Sequence, residues 1–234
     1  MLKDKKYVLI WLFLVLGGGW LLTSITSCGK QGNASPQGLN IQYHVLNLSP
    51  DLQPVDLFID NGLVNTAPFY YGIDQGYFYV ASTDIPYQIR SAQYTGTTLI
   101  SLNDILKSGA KYTLFISGSV STKIDTTFTV DTDFIPSLGH GKLRFVNVSP
   151  SGTLDVYVNG TQAFKSAAYK SVSKYLELPI GNYDIQLFPA NTSSVIKDLP
   201  GITIQDGRLY TLYSYGYTTR SDTAAFNAAV ITNR

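Results

Sequence analysis

The chain has 234 residues, 17 basic and 16 acidic, for a net charge of +1. Charged side chains make up only 14% of it, against about 25% in an ordinary soluble domain, which excludes an intrinsically disordered chain. The near-neutral balance leaves no electrostatic footprint for nucleic acid, and the single cysteine excludes a disulfide framework.

The N-terminus carries Lys3, Lys5 and Lys6, then an apolar run from Tyr7 to Leu22, then small residues up to Cys28. A basic stretch, an apolar core and a small-residue end form the pattern of a secretory signal. Ile25-Thr26-Ser27-Cys28 resembles the bacterial lipobox. That resemblance implies cleavage before Cys28 and acylation of its thiol and new amino group, and two or three acyl chains give a stable membrane anchor. The rival reading is an uncleaved transmembrane helix, because Tyr7 to Ser27 is long enough to cross a bilayer. Gly17-Gly18-Gly19 and the Thr/Ser cluster argue against it, and an ordinary secretion signal is the third alternative. Cleavage removes three Lys and one Asp, leaving 14 basic and 15 acidic side chains and a net charge of −1. The expected organisation is a signal peptide over 1–27 and a flexible tether over 28–40, rich in Gly, Gln, Asn and Ser.

Beyond the tether the sequence repeats itself. Asn47-x-Ser49-Pro50 returns as Asn147-x-Ser149-Pro150, and Val55-Asp56-Leu57-Phe58-Ile59 returns as Leu154-Asp155-Val156-Tyr157-Val158. Lys111-Tyr112-Thr113-Leu114 matches Arg208-Leu209-Tyr210-Thr211-Leu212 in its Tyr-Thr-Leu core, and Gly118 matches Gly216. Two tandem copies follow, over 41–134 and 141–234, joined by a Pro- and Gly-containing linker over 135–140. Within each copy apolar residues alternate with period two, between Ser-Pro and Asn-Gly punctuation. The expected fold class is therefore all-β, as two tandem immunoglobulin-like β-sandwich domains. Asp60-Asn61-Gly62 and Asn159-Gly160 read as hairpin turns, and only Leu99–Ser108 reads as a short helix.

The run N-x-S-P, then V-D-L/V-x-I/V-x-x-G, then Y-x-x-L-P-x-G-x-Y-x-I resembles domain of unknown function 4397. The second copy carries it through Tyr169, Ser171, Tyr175, Leu178-Pro179, Gly181, Tyr183 and Ile185. The first copy departs from it, since Asp84-Ile85-Pro86-Tyr87 lacks the Gly. The resemblance spans about residues 41–232. It implies β-sandwiches in a secreted or lipid-anchored bacterial protein, and it brings no catalytic residues. The spacer and composition also resemble lipoproteins of the Bacteroidetes.

Asn47, Ser49, Pro50, Asn147, Ser149 and Pro150 read as structural turns, because Asn and Ser side chains bond nearby backbone and Pro fixes φ. Asp56 and Asp155 read as structural acceptors in mid-strand. His44 aligns with Arg144, at a position that reads as surface, and His140 falls in the linker. No nucleophile elbow, zinc-protease or phosphate-loop motif is present, so no catalytic residue or cofactor is expected. Asp131 and Asp133 beside Asp125 offer oxygens to Ca²⁺ without the glycine-containing loop, and no metal site is expected from them. Tyr213, Tyr215 and Tyr217 share one face of a strand. They form either a platform for sugar rings or a partner protein, or an internal packing contact. Asp125-Thr126 and Asp222-Thr223 resemble a periplasmic O-glycosylation motif, with Thr126 and Thr223 as acceptors.

The expected function is a lipid-anchored cell-envelope protein of structural or binding role. Its expected partners are the membrane through Cys28 and a polysaccharide or envelope protein, with no nucleic acid. A periplasmic or surface hydrolase and an accessory subunit of a surface complex are the alternatives. The expected location is the outer membrane or envelope, on either its periplasmic or its surface side.

Overall fold

A computed structural model describes residues 40–52, 54–80, 85–94 and 96–234. The signal peptide, Cys28 and the tether as far as Leu39 lie outside the described residues.

The first copy runs β1 (Ile41–Asn47), β2 (Val55–Ile59), β3 (Gly62–Leu63), β4 (Phe78–Val80), β5 (Tyr87–Ser91), β6 (Thr98–Leu102), β7 (Lys111–Ser119) and β8 (Lys123–Val130). The second runs β9 (His140–Asn147), β10 (Leu154–Val158), β11 (Thr161–Ala167), β12 (Leu176–Pro179), β13 (Gly181–Pro189), β14 (Lys197–Ile204), β15 (Leu209–Tyr215) and β16 (Asn227–Thr232). The described residues contain no helix, and the chain forms two tandem β-sandwich domains. Each copy has one sheet built on its first strand, β4-β1-β7-β8 and β12-β9-β15-β16. The second sheet of each is β3-β2-β5-β6 and β11-β10-β13-β14. In both copies the first strand lies parallel to the long strand, β1 to β7 and β9 to β15, while the hairpin partners are antiparallel.

The two-residue period explains these sandwiches. Tyr43, Val45, Val55, Leu57, Ile89, Leu114 and Ile116 fill the first core, and Leu143, Phe145, Leu154, Val156, Ile185, Leu187 and Leu212 fill the second. Burial of such side chains contributes roughly 1.5–3 kcal/mol each before conformational entropy is set against it. The Asn-Gly turns take positive φ as expected, at Asp60 and Asn61 and at Asn159 and Gly160. The short helix expected over Leu99–Ser108 is not formed. Thr98–Leu102 pairs with β5 instead, because Leu99, Ile100 and Leu102 gain more from packing on the first core than a marginal helix would offer.

A third apolar cluster has no counterpart in the alternation of either copy. Leu46, Leu48 and Phe115 of the first copy meet Val146, Val148, Tyr213 and Ile231 of the second, with Tyr215 and Ala229 beside them. The β4-β1-β7-β8 and β12-β9-β15-β16 sheets thus pack face to face, and the chain stacks four sheets deep. Matching positions of the repeat belong to it, Leu46 and Val146, Leu48 and Val148, and Phe115 and Tyr213, the last two with their rings 5.5 Å apart.

The paired glycines have a steric reason. Gly118 and Gly216 hold φ of 83° and 73°. A Cβ would lie 2.1 Å from the Lys123 carbonyl oxygen in one and 2.4 Å from that of Ala225 in the other. Gly118→Ala and Gly216→Ala should each destabilise the protein by at least about 2 kcal/mol in urea titrations, since the left-handed φ and the backbone collision add. Gly72→Ala, with a similar φ of 69° and open space around it, should lose only about 1 kcal/mol.

Candidate functional site: the joint between the copies and the apolar end

The turn residues are built into the sandwiches. Asn47 and Asn147 are fully buried, and each side-chain oxygen accepts the N–H of Ser49 or Ser149. Asn147 Nδ2 donates to the carbonyls of Gly152 and Ala167, both at 2.8 Å, and Asn47 Nδ2 donates to Phe69 at 3.3 Å. Ser149 Oγ donates to the Gly216 carbonyl at 2.6 Å, tying the turn to the end of β15. Pro50 and Pro150 begin the turns that follow. Asp56 accepts Asn65 Nδ2 at 2.7 Å, and Asp155 accepts the N–H groups of Ser166 and Asn191. Each motif therefore closes one end of its sandwich.

The position read as surface at His44 and Arg144 is buried in both copies, at 1% and 4% exposure: Asp74 and Tyr77 of its own copy lie against His44, and Asp131 and Val130 of the first copy lie against Arg144. Arg144 reaches across the joint. It pairs with Asp131 of the first copy, donates to the Val130 carbonyl at 2.8 Å and to Thr211 Oγ1 at 2.9 Å, and lies 4.9 Å above the Tyr175 ring. Asp131 also accepts hydroxyls from Thr113 at 2.5 Å, Tyr77 at 2.7 Å and Thr129 at 2.8 Å. Asn233 closes the network, donating to the Tyr77 hydroxyl and accepting Thr211, each at 2.7 Å. Burial and the adjacent Asp131 charge push the Tyr77 hydroxyl well above its ordinary value, so it serves as a donor. Burial likewise pushes Tyr175 up to about 12, against the pull of Arg144.

His44 keeps to its own copy. Its Nε2 lies 2.7 Å from Asp74 Oδ1 and its ring 5.0 Å from Tyr77. The hydrogen bond from His44 holds the Asp74 carboxyl below the usual carboxylate range, against the opposing effect of burial. His44 Nδ1 has no partner; a tautomer with its proton on Nε2 leaves a bare lone pair there rather than an unpaired N–H. At the far end of the joint, Ser117 meets Tyr169 at 2.9 Å and Lys170 pairs with Asp125 at 3.0 Å.

This joint decides the fate of several expected sites. Tyr213 is no open platform. It is buried to 5% exposure with its ring 5.5 Å from Phe115, and it stacks on Tyr215, which in turn faces Tyr71 edge-on. Tyr215 and Tyr217 are half-buried. The face-sharing was legible in sequence; the sheet that covers it was not. The Ca²⁺ ligands are spent elsewhere: Asp131 on Arg144, Asp133 on Lys142 at 3.0 Å, and Asp125 on Lys123 and Lys170. Burial raises the Asp133 carboxyl, but the Lys142 hydrogen bond, the Phe134 N–H and the Lys142 and Arg144 charges together hold it below its ordinary value. Among the described residues no three His, Cys, Asp or Glu side chains gather to hold a metal. Thr126 stands opposite Ile116 and so faces the first core, half-buried, without the protruding hydroxyl that glycosylation needs. Thr223 lies exposed in the loop between β15 and β16.

The second feature lies at the end where β1 begins. The segment between β8 and β9 runs over residues 131–139, and His140 opens β9. Phe134, Ile135 and Leu138 in that segment are 87%, 77% and 92% exposed. The sequence expectation ends the first copy at Phe134 and makes 135–140 a plain linker; the three large apolar residues are the available signal there.

The profile of the domain of unknown function (DUF4397) matches residues 42–152 and again 149–234. The chain belongs to this family. The first match runs from β1 through β9, and the second from the turn at Ser149 through β16. No curated protein matches the sequence. Among solved structures, the Bacillus anthracis TIE protein is similar over 74% of this chain and 32% of its own, with 13% identity and a TM-score of 0.24. This DUF4397 chain thus spans about a third of that protein's length. A candidate cell adhesion protein from Bacteroides eggerthii is similar over 82% of this chain and 94% of its own, with 9% identity and a TM-score of 0.21.

Proposed function

We propose that the protein is a lipid-anchored component of the cell envelope with a structural or binding role and no catalytic one. The observation that carries this reading is Ile25-Thr26-Ser27-Cys28, set 12 residues ahead of Asn40, where the double sandwich begins. In support, the buried ionisable pair of the joint, Arg144 and Asp131, is consumed in holding the copies together. The binding partner is an extracellular polymer or an envelope protein, met through surfaces other than the covered Tyr213 face. Thr223 is the accessible acceptor for a glycan.

Intact mass of the native protein tests the anchor. The expected mass is that of residues 28–234 plus two or three acyl chains, and Cys28→Ala should leave the membrane fraction. A native mass without acyl chains removes the reading. Any remaining hexose-sized increments map the glycan, and protease treatment of intact cells then distinguishes the surface side from the periplasmic one.

A further inference from the structure

Among the described residues, four large apolar side chains are more than three-quarters exposed: Leu138, Phe134, Ile105 and Ile135. All four lie at one end of the stack. Gln42, near the start of β1, pairs with Lys111, and the Lys111 carbonyl accepts the Asp131 N–H, so the 131–139 segment leaves the sheet beside the first residues of the double sandwich. Ile105, 78% exposed, sits in the loop that enters β7 at Lys111. Ile180, 55% exposed, joins them from the β12–β13 turn, where its N–H bonds the Gly139 carbonyl.

These side chains are held outward by a pinned backbone. Ser137 N–H donates to Glu177 and Gly139 N–H to Asp206, both at 2.8 Å, and Lys142 grips the Phe134 carbonyl at 3.1 Å. Bulky apolar groups fixed in water at protruding loop tips mark a contact surface. The occupant follows from the chain itself. Eleven residues separate Cys28 from Asn40, and the twelve steps at about 3.5 Å each reach at most about 40 Å. The tether enters the sandwiches at the very end that bears the apolar tips. Resting on the reading that Cys28 is acylated, we infer that Phe134, Ile135, Leu138 and Ile105 dock this end of the protein onto the lipid surface that holds the anchor. Exposed Lys107 and Arg208 are balanced by exposed Asp104 and Asp206 nearby in the same loops, so the contact is apolar insertion rather than polybasic attraction. The stack then stands end-on, with the β7–β8 hairpin and the Ser-Pro turns facing away from the membrane.

The test uses the acylated full-length protein in vesicles of phosphatidylethanolamine and phosphatidylglycerol. Leu138→Cys supplies the one free thiol, because the only native cysteine is blocked, and Val120→Cys in the β7–β8 hairpin is the reference. Both sites are exposed, at 92% and 57%, so neither substitution threatens folding. A nitrobenzoxadiazole dye at 138 should brighten several-fold, shift to the blue, resist iodide and be quenched by nitroxide-labelled lipid. The same dye at 120 should stay in water. If the dye at 138 stays open to iodide on a protein whose intact mass shows acyl chains, docking fails and the anchor stands. A mass without acyl chains overturns both. A dye shielded from iodide yet untouched by nitroxide lipid reports a protein contact and overturns the lipid assignment.

Discussion

Arg144→Met should lower the unfolding free energy of the full chain by about 3–5 kcal/mol, because it leaves a buried carboxylate without its counter-charge. Asp131 has no exposed side-chain surface and Arg144 only 4%, so water cannot take over the solvation. In a domain pair of this size the loss corresponds to a fall in melting temperature of roughly 10 °C, readable by circular dichroism. Arg144→Lys should fall in between: it keeps the charge but loses the fork that reaches Asp131, the Val130 carbonyl and Thr211 together. Adding Asp131→Asn to Arg144→Met should recover part of the loss, since a neutral amide oxygen still accepts the Thr113 and Tyr77 hydroxyls. An Arg144→Met protein as stable as the wild type would mean that the two sheets do not meet in solution as described.

Tyr213→Ser should cost about 3–5 kcal/mol, the range of large aromatic truncations in cores, while the half-buried Tyr217→Ser should cost no more than about 1 kcal/mol. Both are Tyr and lie four positions apart, so composition and propensity do not separate them. Their surroundings do: Tyr213 packs on Phe115 and Ile231 inside the joint, whereas Tyr217 lies at its rim. Urea midpoints of the two variants therefore measure the joint directly. If Tyr213→Ser leaves the midpoint in place but abolishes retention on a polysaccharide, the row is a binding surface after all.

These two experiments mark the boundary of what one-dimensional reasoning reaches here. The repeat, the strand period, the Asn-Gly turns and the acceptor roles of Asp56 and Asp155 were legible, because each rests on neighbours in sequence or on a motif that recurs whole. The Asn-x-Ser-Pro turn is the clearest case, since Asn147 bonds Ser149, Gly152 and Ala167 within 20 positions. Leu99–Ser108 reads as helical in sequence, yet its first four residues, Leu99–Leu102, belong to the strand that pairs with β5, which local propensity does not register.

The amino-acid sequence by itself determined the class of fold, its duplication and the motif at Cys28, because periodicity and repetition are properties of the chain. Only the tertiary structure decided that His44, Arg144 and the Tyr213 face are buried and that the largest apolar exposure sits at the tether-bearing end. Alternation tells which side chains share a face of a sheet. Whether that face meets water or another sheet depends on how two complete sandwiches pack, and that is set by contacts such as Arg144 with Asp131 and Lys111 with Asn233, 122 positions apart.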